Sequence, residues 1–422
     1  MTSETIDGGR RDYRQLVIAG TVGNVMEWYD FAVYGYFVRP IGHAFFPADS
    51  ETASLLAAYG TFAVGFLMRP LGAAVFGYVA DRTGRAYSLI WSVVAMAAPS
   101  FLIGLLPTYQ EVGLVAPLLM LLCRVLQGFA VGGEYIGSVV FLMERAPPGQ
   151  RGVAGSWPSV GSIFGFLLGS ALGAAVFGAM PHAEVFAWGW RLPFLLGVAV
   201  GLTGYFIRRR IRPDEPPSRE GFPLAEAVRR HPVQMVLAIG LSVVNGVGFY
   251  LMFSYIVTWL QIYARVTPHV SLLVNSINMV IMMPVTLWGG WLSDKVGSKP
   301  VLVVSAAGLL VLSWPSLLLM HSGVTVEIFL GQLVFCVLVG VYSAVNPVIV
   351  ADMFPAAERS SAASVTYNVT LAVAGGTAPL VAIWLIDTTG DPMAMAFYLM
   401  LAAAISTTAS LLVRRRYAVL SP

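Results

Sequence analysis

Long apolar stretches separated by short polar loops recur along the whole chain. A helix needs about 20 apolar residues to cross the hydrocarbon core of a bilayer. Twelve stretches approach that length, at about residues 16–38, 53–79, 87–106, 114–142, 153–179, 191–208, 233–262, 271–292, 300–320, 326–350, 361–386 and 393–413. The pattern predicts an all-α membrane protein with twelve transmembrane helices in two six-helix bundles.

The composition agrees with that pattern. Of the 422 residues, 57% are hydrophobic and 11% are charged, whereas soluble domains are about a quarter charged. The two cysteines, Cys123 and Cys336, lie inside apolar stretches, so we expect neither a disulfide framework nor a metal site. The polar N-terminus has no short apolar core with a cleavage site, and we expect no cleaved signal peptide.

Positive charges are concentrated in alternate loops. Only Arg39, Arg191 and Arg265 lie in the opposite set of loops. Because loops rich in Lys and Arg stay in the cytoplasm, we expect a multi-pass protein of the cell inner membrane with both termini in the cytoplasm.

Two loop signatures occur twice in the chain. Asp81 follows the second apolar stretch in GYVADRTGR, and Asp294 follows the eighth in GWLSDKVGSK. Glu144 and Asp352 close the fourth and tenth stretches, and each is followed by an arginine seven residues later. Both signatures repeat at nearly the same offset, about half the chain, which predicts tandem halves.

The boundary between the halves is a polar segment rich in proline and arginine. We therefore predict an N-terminal six-helix bundle at residues 1–207 and a C-terminal one at 233–422. Residues 208–232 form the predicted cytoplasmic linker between them.

Four charged residues lie deep inside the first-half stretches: Glu27, Asp30, Arg69 and Arg124. At 1.5 Å per residue they lie about 15–20 Å from the membrane surface. Charges at that depth are costly unless they are paired, protonated or face a polar cavity, and they usually mark functional sites. Glu27 and Asp30 share one helical face, and we expect them to carry the proton. The alternative is an ion-paired role in helix packing.

Arg124 is the first candidate for binding a substrate, because a guanidinium group holds a carboxylate in two hydrogen bonds. The alternative is a permanent salt bridge to Glu27 or Asp30. Both can hold, since a substrate carboxylate could displace the internal acid, which would then take up a proton. Arg69 is a second candidate, although its neighbour Pro70 favours a helix-packing role equally well.

The second half supplies neutral candidates for substrate contact: Asn245, Tyr250, Tyr367 and Asn368. Asn245, with Gly246 and Gly248 close behind it, could break the seventh helix and face a cavity. For the aromatic residues, packing in the core or against lipid is the alternative.

A further group is predicted to control opening at the cytoplasmic side: Asp81, Arg82, Arg85, Glu134, Glu144 and Asp294. The two loop aspartates would hold that side closed through charge and helix-end contacts. Glu134 lies nearer the cytoplasm than Arg124, so we expect it to pair with Asp81 and Arg85 rather than to contact substrate.

With its paired loops, twelve stretches and central polar segment, the chain resembles the major facilitator superfamily. Four segments are similar to its metabolite–proton symporters: GNVMEWYDF, RPLG, RVLQGFAVGGE and WGWRLPF. That group includes carriers of citrate, 2-oxoglutarate, shikimate and proline or betaine. The resemblance implies the major facilitator fold. The second-half loop departs from the pattern with Ser298 and Lys299 in place of an arginine pair. Osmosensing betaine and proline carriers often continue after the last helix into a coiled coil. Here the stretch after the last predicted helix is short, which is a second departure from the pattern.

The sequence contains no Walker motif, no His-x-x-x-His pair and no Ser-based nucleophile elbow, so we expect neither ATP drive nor enzyme activity. We expect a proton-coupled symporter that imports a small organic carboxylate and needs no cofactor besides the proton. Two arginines near two acids exceed what a monoanion needs, which favours a di- or tricarboxylate such as citrate.

Alternative functions remain open. A zwitterion such as proline or betaine, or a shikimate-like acid, would need Arg124 alone. Export of a small metabolite, siderophore or drug fits the same motifs. A receptor that binds solute without moving it is a further class, although the longest polar loop has only about 25 residues. The expected partners are a small, anionic solute and the lipid bilayer, without nucleic acid, and the expected state is a monomer.

Overall fold

A computed structural model describes residues 3–73, 75, 85–132, 134–208, 229–356 and 358–413. Helices occupy nearly all of these residues, and one or more of them lies in each of the twelve predicted stretches. The all-helical architecture follows from the apolar sequence, because backbone groups inside a bilayer must find their hydrogen-bond partners within their own helix. We number the twelve helical spans in chain order.

The first six spans are Ser3–Tyr36, Glu51–Ala73, Arg85–Leu105, Val115–Glu144, Arg151–Ala179 and Arg191–Arg208. The fourth span is interrupted after Ala130 and resumes at Glu134. The short helix Val38–Phe45 extends the first span, and the π-helical turn Val185–Gly189 precedes the sixth.

The last six spans are Pro232–Ile262, Pro268–Val296, Ser298–His321, Thr325–Asp352, Arg359–Thr389 and Ala394–Leu412. Two of them contain a π-helical turn, Leu251–Tyr255 in the seventh span and Leu371–Gly375 in the eleventh. Such turns often lie at functional sites.

The predicted break of the seventh helix at Asn245 is wrong. The helix runs without interruption from Pro232 to Tyr250, and the irregular turn begins only at Leu251. The Asn245 side chain bonds to neighbouring spans rather than to its own backbone, so it does not compete with the helix. Gly246 serves close packing, because a Cβ atom there would lie 3.2 Å from the backbone nitrogen of Gly375.

Nine helices within the described ranges are long and apolar enough to cross a membrane. The segments His182–Gly189 and Arg191–Thr203, bent by 56° relative to each other, would make a tenth if they are counted as one span. The third span contributes a shorter apolar helix, Ala95–Leu105, to the described part of the chain. The protein is therefore a multi-pass membrane protein.

The second and fourth spans meet backbone to backbone. A Cβ atom on Gly128 would overlap the carbonyl group of Gly65, and one on Gly72 would overlap that of Phe129. Only glycine permits helices to approach this closely. The contact fixes the relative position of the two helices that carry Arg69 and Arg124.

Residues 209–228 include most of the predicted linker and lie outside the described residues. The division into residues 1–207, 208–232 and 233–422 stays a prediction.

Candidate functional site

Glu27 of the first span and Arg69 of the second form a buried ion pair. Arg69 Nη2 lies 2.5 Å from Glu27 Oε1, and the side chains are 1% and 2% exposed, respectively. Arg69 Nε donates a hydrogen bond of 3.3 Å to Asn368 Oδ1 of the eleventh span. Its guanidinium carbon lies 5.4 Å from the ring centroids of both Trp28 and Phe66. The pair is thus enclosed by aromatic rings.

Asp30 lies one turn further along the first span and belongs to a separate polar cluster. Its carboxylate accepts hydrogen bonds from the Ser100 hydroxyl and, at 2.8 Å, from Gln127 Nε2. Gln127 Oε1 in turn accepts a hydrogen bond of 2.9 Å from Arg124 Nη1. Gln127 therefore connects the buried acid with the buried arginine.

The Arg124 guanidinium is fully buried among aromatic rings. Its central carbon lies 4.5 Å from the Tyr34 ring centroid, 4.7 Å from that of Phe31 and 5.4 Å from that of Phe62. Among the described residues, neither Nε nor Nη2 has a hydrogen-bond partner. Cation–π contacts of this kind stabilise the charge in place of hydrogen bonds.

The partners of the buried charges differ from the salt bridge that the sequence left open as an alternative. The sequence suggested a salt bridge from Arg124 to Glu27 or Asp30, whereas Glu27 pairs with Arg69 and Gln127 stands between Asp30 and Arg124. Charge and depth alone do not reveal which helices are neighbours. Gln127 was missed because a neutral residue in an apolar span gives a weak signal, although it shares a helical face with Arg124.

A small cavity lies between the first six and the last six spans. Its lining combines aromatic rings with neutral hydrogen-bonding groups: Trp28, Tyr135, Phe249, Tyr250, Tyr367, Ser159, Ser162, Asn245 and Ser343, together with Ile163 and Leu371. None of the described residues that line it is charged. The Tyr250 hydroxyl is buried and has no hydrogen-bond partner in the described part of the chain.

The predicted substrate contacts divide into two groups. Asn245, Tyr250 and Tyr367 line the cavity, whereas Asn368, Arg69 and Arg124 do not. Arg69 adjoins the cavity because its guanidinium packs on Trp28, a lining residue. The rings around Arg124 lie outside the lining. Both arginines therefore lie behind residues of the lining, Arg69 against Trp28 and Arg124 near Tyr250, and their roles in substrate binding stay predictions.

Five cavity residues form a closed ring of contacts. Tyr135 donates to Ser159 Oγ at 2.8 Å, and Ser159 donates to the backbone oxygen of Ser343 at 2.9 Å. Ser343 Oγ donates to Asn245 Oδ1 at 2.6 Å. Asn245 Nδ2 donates to the Tyr367 hydroxyl at 3.2 Å, and the Tyr367 ring stacks on Tyr135 with centroids 5.1 Å apart.

This five-residue ring lies on the predicted cytoplasmic side of the cavity. Tyr135 and Tyr367 lie about two helical turns from the predicted cytoplasmic ends of their spans. The ring joins the fourth and fifth spans to the seventh, tenth and eleventh, so it cannot open without separating the two sets of helices.

Polar contacts also join the two sets of helices near the opposite end. The Tyr36 hydroxyl donates to the backbone oxygen of Phe253 at 2.7 Å and accepts from Asn275 Nδ2 at 3.0 Å. Arg39 Nη1 donates to Gln261 Oε1 at 3.2 Å. The cavity is therefore bounded by contacts between the two sets of helices on both sides.

Asp294 holds the first turn of the fifth span. Its carboxylate accepts hydrogen bonds from the backbone N–H groups of Gly152, at 2.7 Å, and Val153, at 3.0 Å. A helix N-terminus presents unpaired N–H groups and a partial positive charge to such an acid. The contact links the eighth span with the fifth at the predicted cytoplasmic end.

The repeated acid–arginine signatures pair with each other. Arg151 Nη2 lies 2.8 Å from Asp352 Oδ1, and Arg359 Nη1 lies 3.4 Å from Glu144 Oε1. Arg359 Nη2 also approaches Asp352 to 3.7 Å. Each signature therefore supplies its arginine to the acid of the other.

The remaining predicted gating residues are only partly described. Asp81 and Arg82 lie outside the described residues, and Arg85 begins the third span with its side chain likewise outside them. Glu134 begins the second helix of the fourth span and is half-buried. Its predicted pairing with Asp81 and Arg85 falls outside the described part of the chain.

Twelve spans around a central cavity that both sets of helices line define the architecture of a multi-span membrane transporter. The chain belongs to the Major Facilitator Superfamily, whose sequence model matches residues 21–348 and 266–421. It is a transporter and not an enzyme.

Three relatives are similar over nearly the whole chain. A glycine betaine/proline/ectoine/pipecolic acid transporter of Dickeya dadantii, OusA, is 34% identical over 97% of this chain and 84% of the relative. A proline/betaine transporter of Salmonella typhimurium is 34% identical over 95% of this chain and 83% of its own length. A putative proline/betaine transporter of Staphylococcus aureus is 34% identical, with coverage of 92% and 85%.

Solved structures share the fold. A partially occluded, inward-open form of the xylose transporter XylE of E. coli matches with a TM-score of 0.74 and 19% identity, covering 94% of this chain and 96% of that one. The proton:xylose symporter XylE bound to 6-bromo-6-deoxy-D-glucose matches with a TM-score of 0.76 and 18% identity, covering 94% of each chain. The predicted major facilitator fold is confirmed.

Proposed function

We propose that this protein is a proton-coupled symporter for a small zwitterion of the proline or betaine kind. The observation that carries the proposal is a cavity lined by neutral polar and aromatic groups beside one buried, internally neutral ion pair, Glu27–Arg69. The similar proteins described above are proline and betaine transporters, which supports the same class of substrate.

This proposal replaces citrate as the preferred substrate. A di- or tricarboxylate would bring two or three negative charges to a lining without a described cation, beside an arginine that is already paired. Each unpaired buried charge is costly. A zwitterion brings no net charge, and its cationic end suits aromatic rings such as Tyr250 and Tyr135.

Two buried acids of the first span, Glu27 and Asp30, are candidates for proton coupling, and the surroundings of Asp30 suit it best. Protonation of Asp30 would remove the negative charge that Gln127 connects to Arg124 and leave a net positive charge in a buried cluster. Such an imbalance is unfavourable in a low dielectric, so it would bias the packing of the first, third and fourth spans. The proton itself is the only coupling species proposed, without a bound cofactor.

Alternating access supplies the transport step. The five-residue ring and the Asp294 contact would open toward the cytoplasm, and the Tyr36 and Arg39 contacts toward the other side. A state with both sides in contact is the occluded intermediate of such a cycle. Asp81, Arg82, Arg85, Glu134 and Glu144 keep their proposed gating role at the cytoplasmic side.

The protein would work as a monomer in the cell inner membrane with both termini in the cytoplasm, in contact with lipid and a small solute. The excess of Lys and Arg in alternate loops supports this orientation. Reporter fusions at the two termini would test it, and activity of both cytoplasmic reporters is the expected result.

Reconstituted liposomes would test the function. With acid outside, we expect accumulation of glycine betaine or proline that a protonophore abolishes, and no accumulation of citrate. Asp30→Asn should abolish the accumulation, while the exposed acid Asp387, changed to asparagine, serves as the matched control. Citrate accumulation without zwitterion uptake would overturn the proposal.

A further inference from the structure

We propose that the Glu27–Arg69 pair is the charge filter of the substrate site, and that the proton is carried at Asp30 alone. The pair would admit a zwitterion by exchanging one internal ion pair for two pairs with the substrate. This inference rests on the proposed transport of a zwitterion and assigns separate roles to the two buried acids.

The first support is the position of the pair beside the cavity. Arg69 packs on Trp28, which lines the cavity, and bonds to Asn368, the neighbour of the lining residue Tyr367. Arg69 Nη1 is buried and has no hydrogen-bond partner among the described residues. The guanidinium group of Arg69 therefore has an N–H donor, on Nη1, that is available to bind a substrate carboxylate.

The second support is charge balance. A zwitterion that places its carboxylate on Arg69 and its cation near Glu27 leaves both protein charges paired and adds no net charge. A simple anion would occupy Arg69 and disrupt its ion pair with Glu27 without supplying a new cation, and a simple cation would do the reverse. Breaking a buried ion pair without replacing it lowers binding by about 100-fold or more.

The third support is the separation of Asp30 from the cavity. Its described partners, Ser100 and Gln127, lie on the third and fourth spans, and neither lines the cavity. Arg124 reaches it through Gln127. A proton can therefore bind to Asp30 while the Glu27–Arg69 pair is engaged with substrate.

The test uses three probes of similar size. Glycine betaine is a zwitterion; 3,3-dimethylbutanoate, in which a carbon atom replaces the quaternary nitrogen of betaine, is an anion; and choline is a cation. Binding to the purified full-length protein is measured by calorimetry, and uptake by liposomes under a proton gradient. The variants are Glu27→Gln, Asp30→Asn, the double variant Glu27→Gln/Arg69→Gln and the exposed control Asp387→Asn.

We expect wild type and Asp387→Asn to prefer glycine betaine over 3,3-dimethylbutanoate by about 100-fold. Glu27→Gln should weaken betaine binding and strengthen binding of the anion, so that the preference falls by at least tenfold. Asp30→Asn should keep the preference and lose the response to the proton gradient. The double variant should bind both probes weakly and without preference, which keeps the test valid if Glu27→Gln does not fold.

An unchanged preference in Glu27→Gln or in the double variant would overturn the inference. The inference would also be overturned if Asp30→Asn lost the preference for glycine betaine while Glu27→Gln kept it and lost only proton coupling. A wild type that binds the anion but no zwitterion would instead reject the proposed function itself.

Discussion

The guanidinium of Arg151 lies 2.8 Å from the carboxylate of Asp352, although the two residues are 201 positions apart. Arg359 pairs with Glu144 in the reverse sense. The four residues are equivalent members of two repeated signatures, so the contact has the reciprocity expected of a pseudo-two-fold axis between the halves.

Charge exchange across this contact gives the first prediction. Arg151→Asp should favour opening at the predicted cytoplasmic end, because it replaces attraction to Asp352 with repulsion. For a partly exposed pair the loss is about 1 kcal/mol, or about fivefold in the opening equilibrium. Reactivity of a cysteine introduced in the cavity measures it. The double variant Arg151→Asp/Asp352→Arg should recover part of the closed state, and equal reactivity of single and double variants would contradict a direct pairing.

The helix-end contact of Asp294 gives the second prediction. Asp294→Asn keeps the size of the side chain but removes the charge that the N-terminus of the fifth span favours, at a cost of about 0.3–1 kcal/mol. We expect a lower turnover number in liposomes with little change in substrate affinity. The repeat predicts the same outcome for Asp81→Asn. A loss of affinity at normal maximal rate would place the aspartate in the substrate site instead.

The five-residue ring gives the third prediction. Tyr367→Phe keeps the ring stack on Tyr135 and removes one hydrogen bond, worth about 1 kcal/mol. Tyr367→Ala removes both the ring stack and the hydrogen bond. Distances between spin labels on the fourth and eleventh spans should therefore increase more in Tyr367→Ala than in Tyr367→Phe. Equal distributions in both variants and in wild type would show that the ring does not hold this side closed.

The glycine contact between the second and fourth spans gives the fourth prediction. Gly128→Ala places a methyl group on the Gly65 carbonyl and should destabilise the protein by about 1–3 kcal/mol, measured by thermal unfolding in detergent. Gly137→Ala is the matched control on the same span, because nothing lies within 4 Å of a Cβ atom there. Comparable melting temperatures for the two variants would refute the close contact.

The sequence predicted the spans well because a bilayer imposes one length and one composition on every helix. It also located the buried charges by depth. It could not assign their partners, since Glu27 had Arg69 and Arg124 at similar depth and only the packing of the spans decides between them. Likewise, the repeated signatures indicated two equivalent loops, but not that Arg151 would cross to Asp352.

The backbone contact at Gly65 and Gly128 has a practical consequence for measuring the transport cycle. Two helices that touch without an intervening layer of side chains have no side chains at the contact that could repack and let them shift. The distance between them is therefore a fixed reference within the protein. Labels on the second and fourth spans should report one constant distance in every state of the cycle. Any change seen elsewhere, for instance near the π-helical turns of the seventh and eleventh spans, can be calibrated against it.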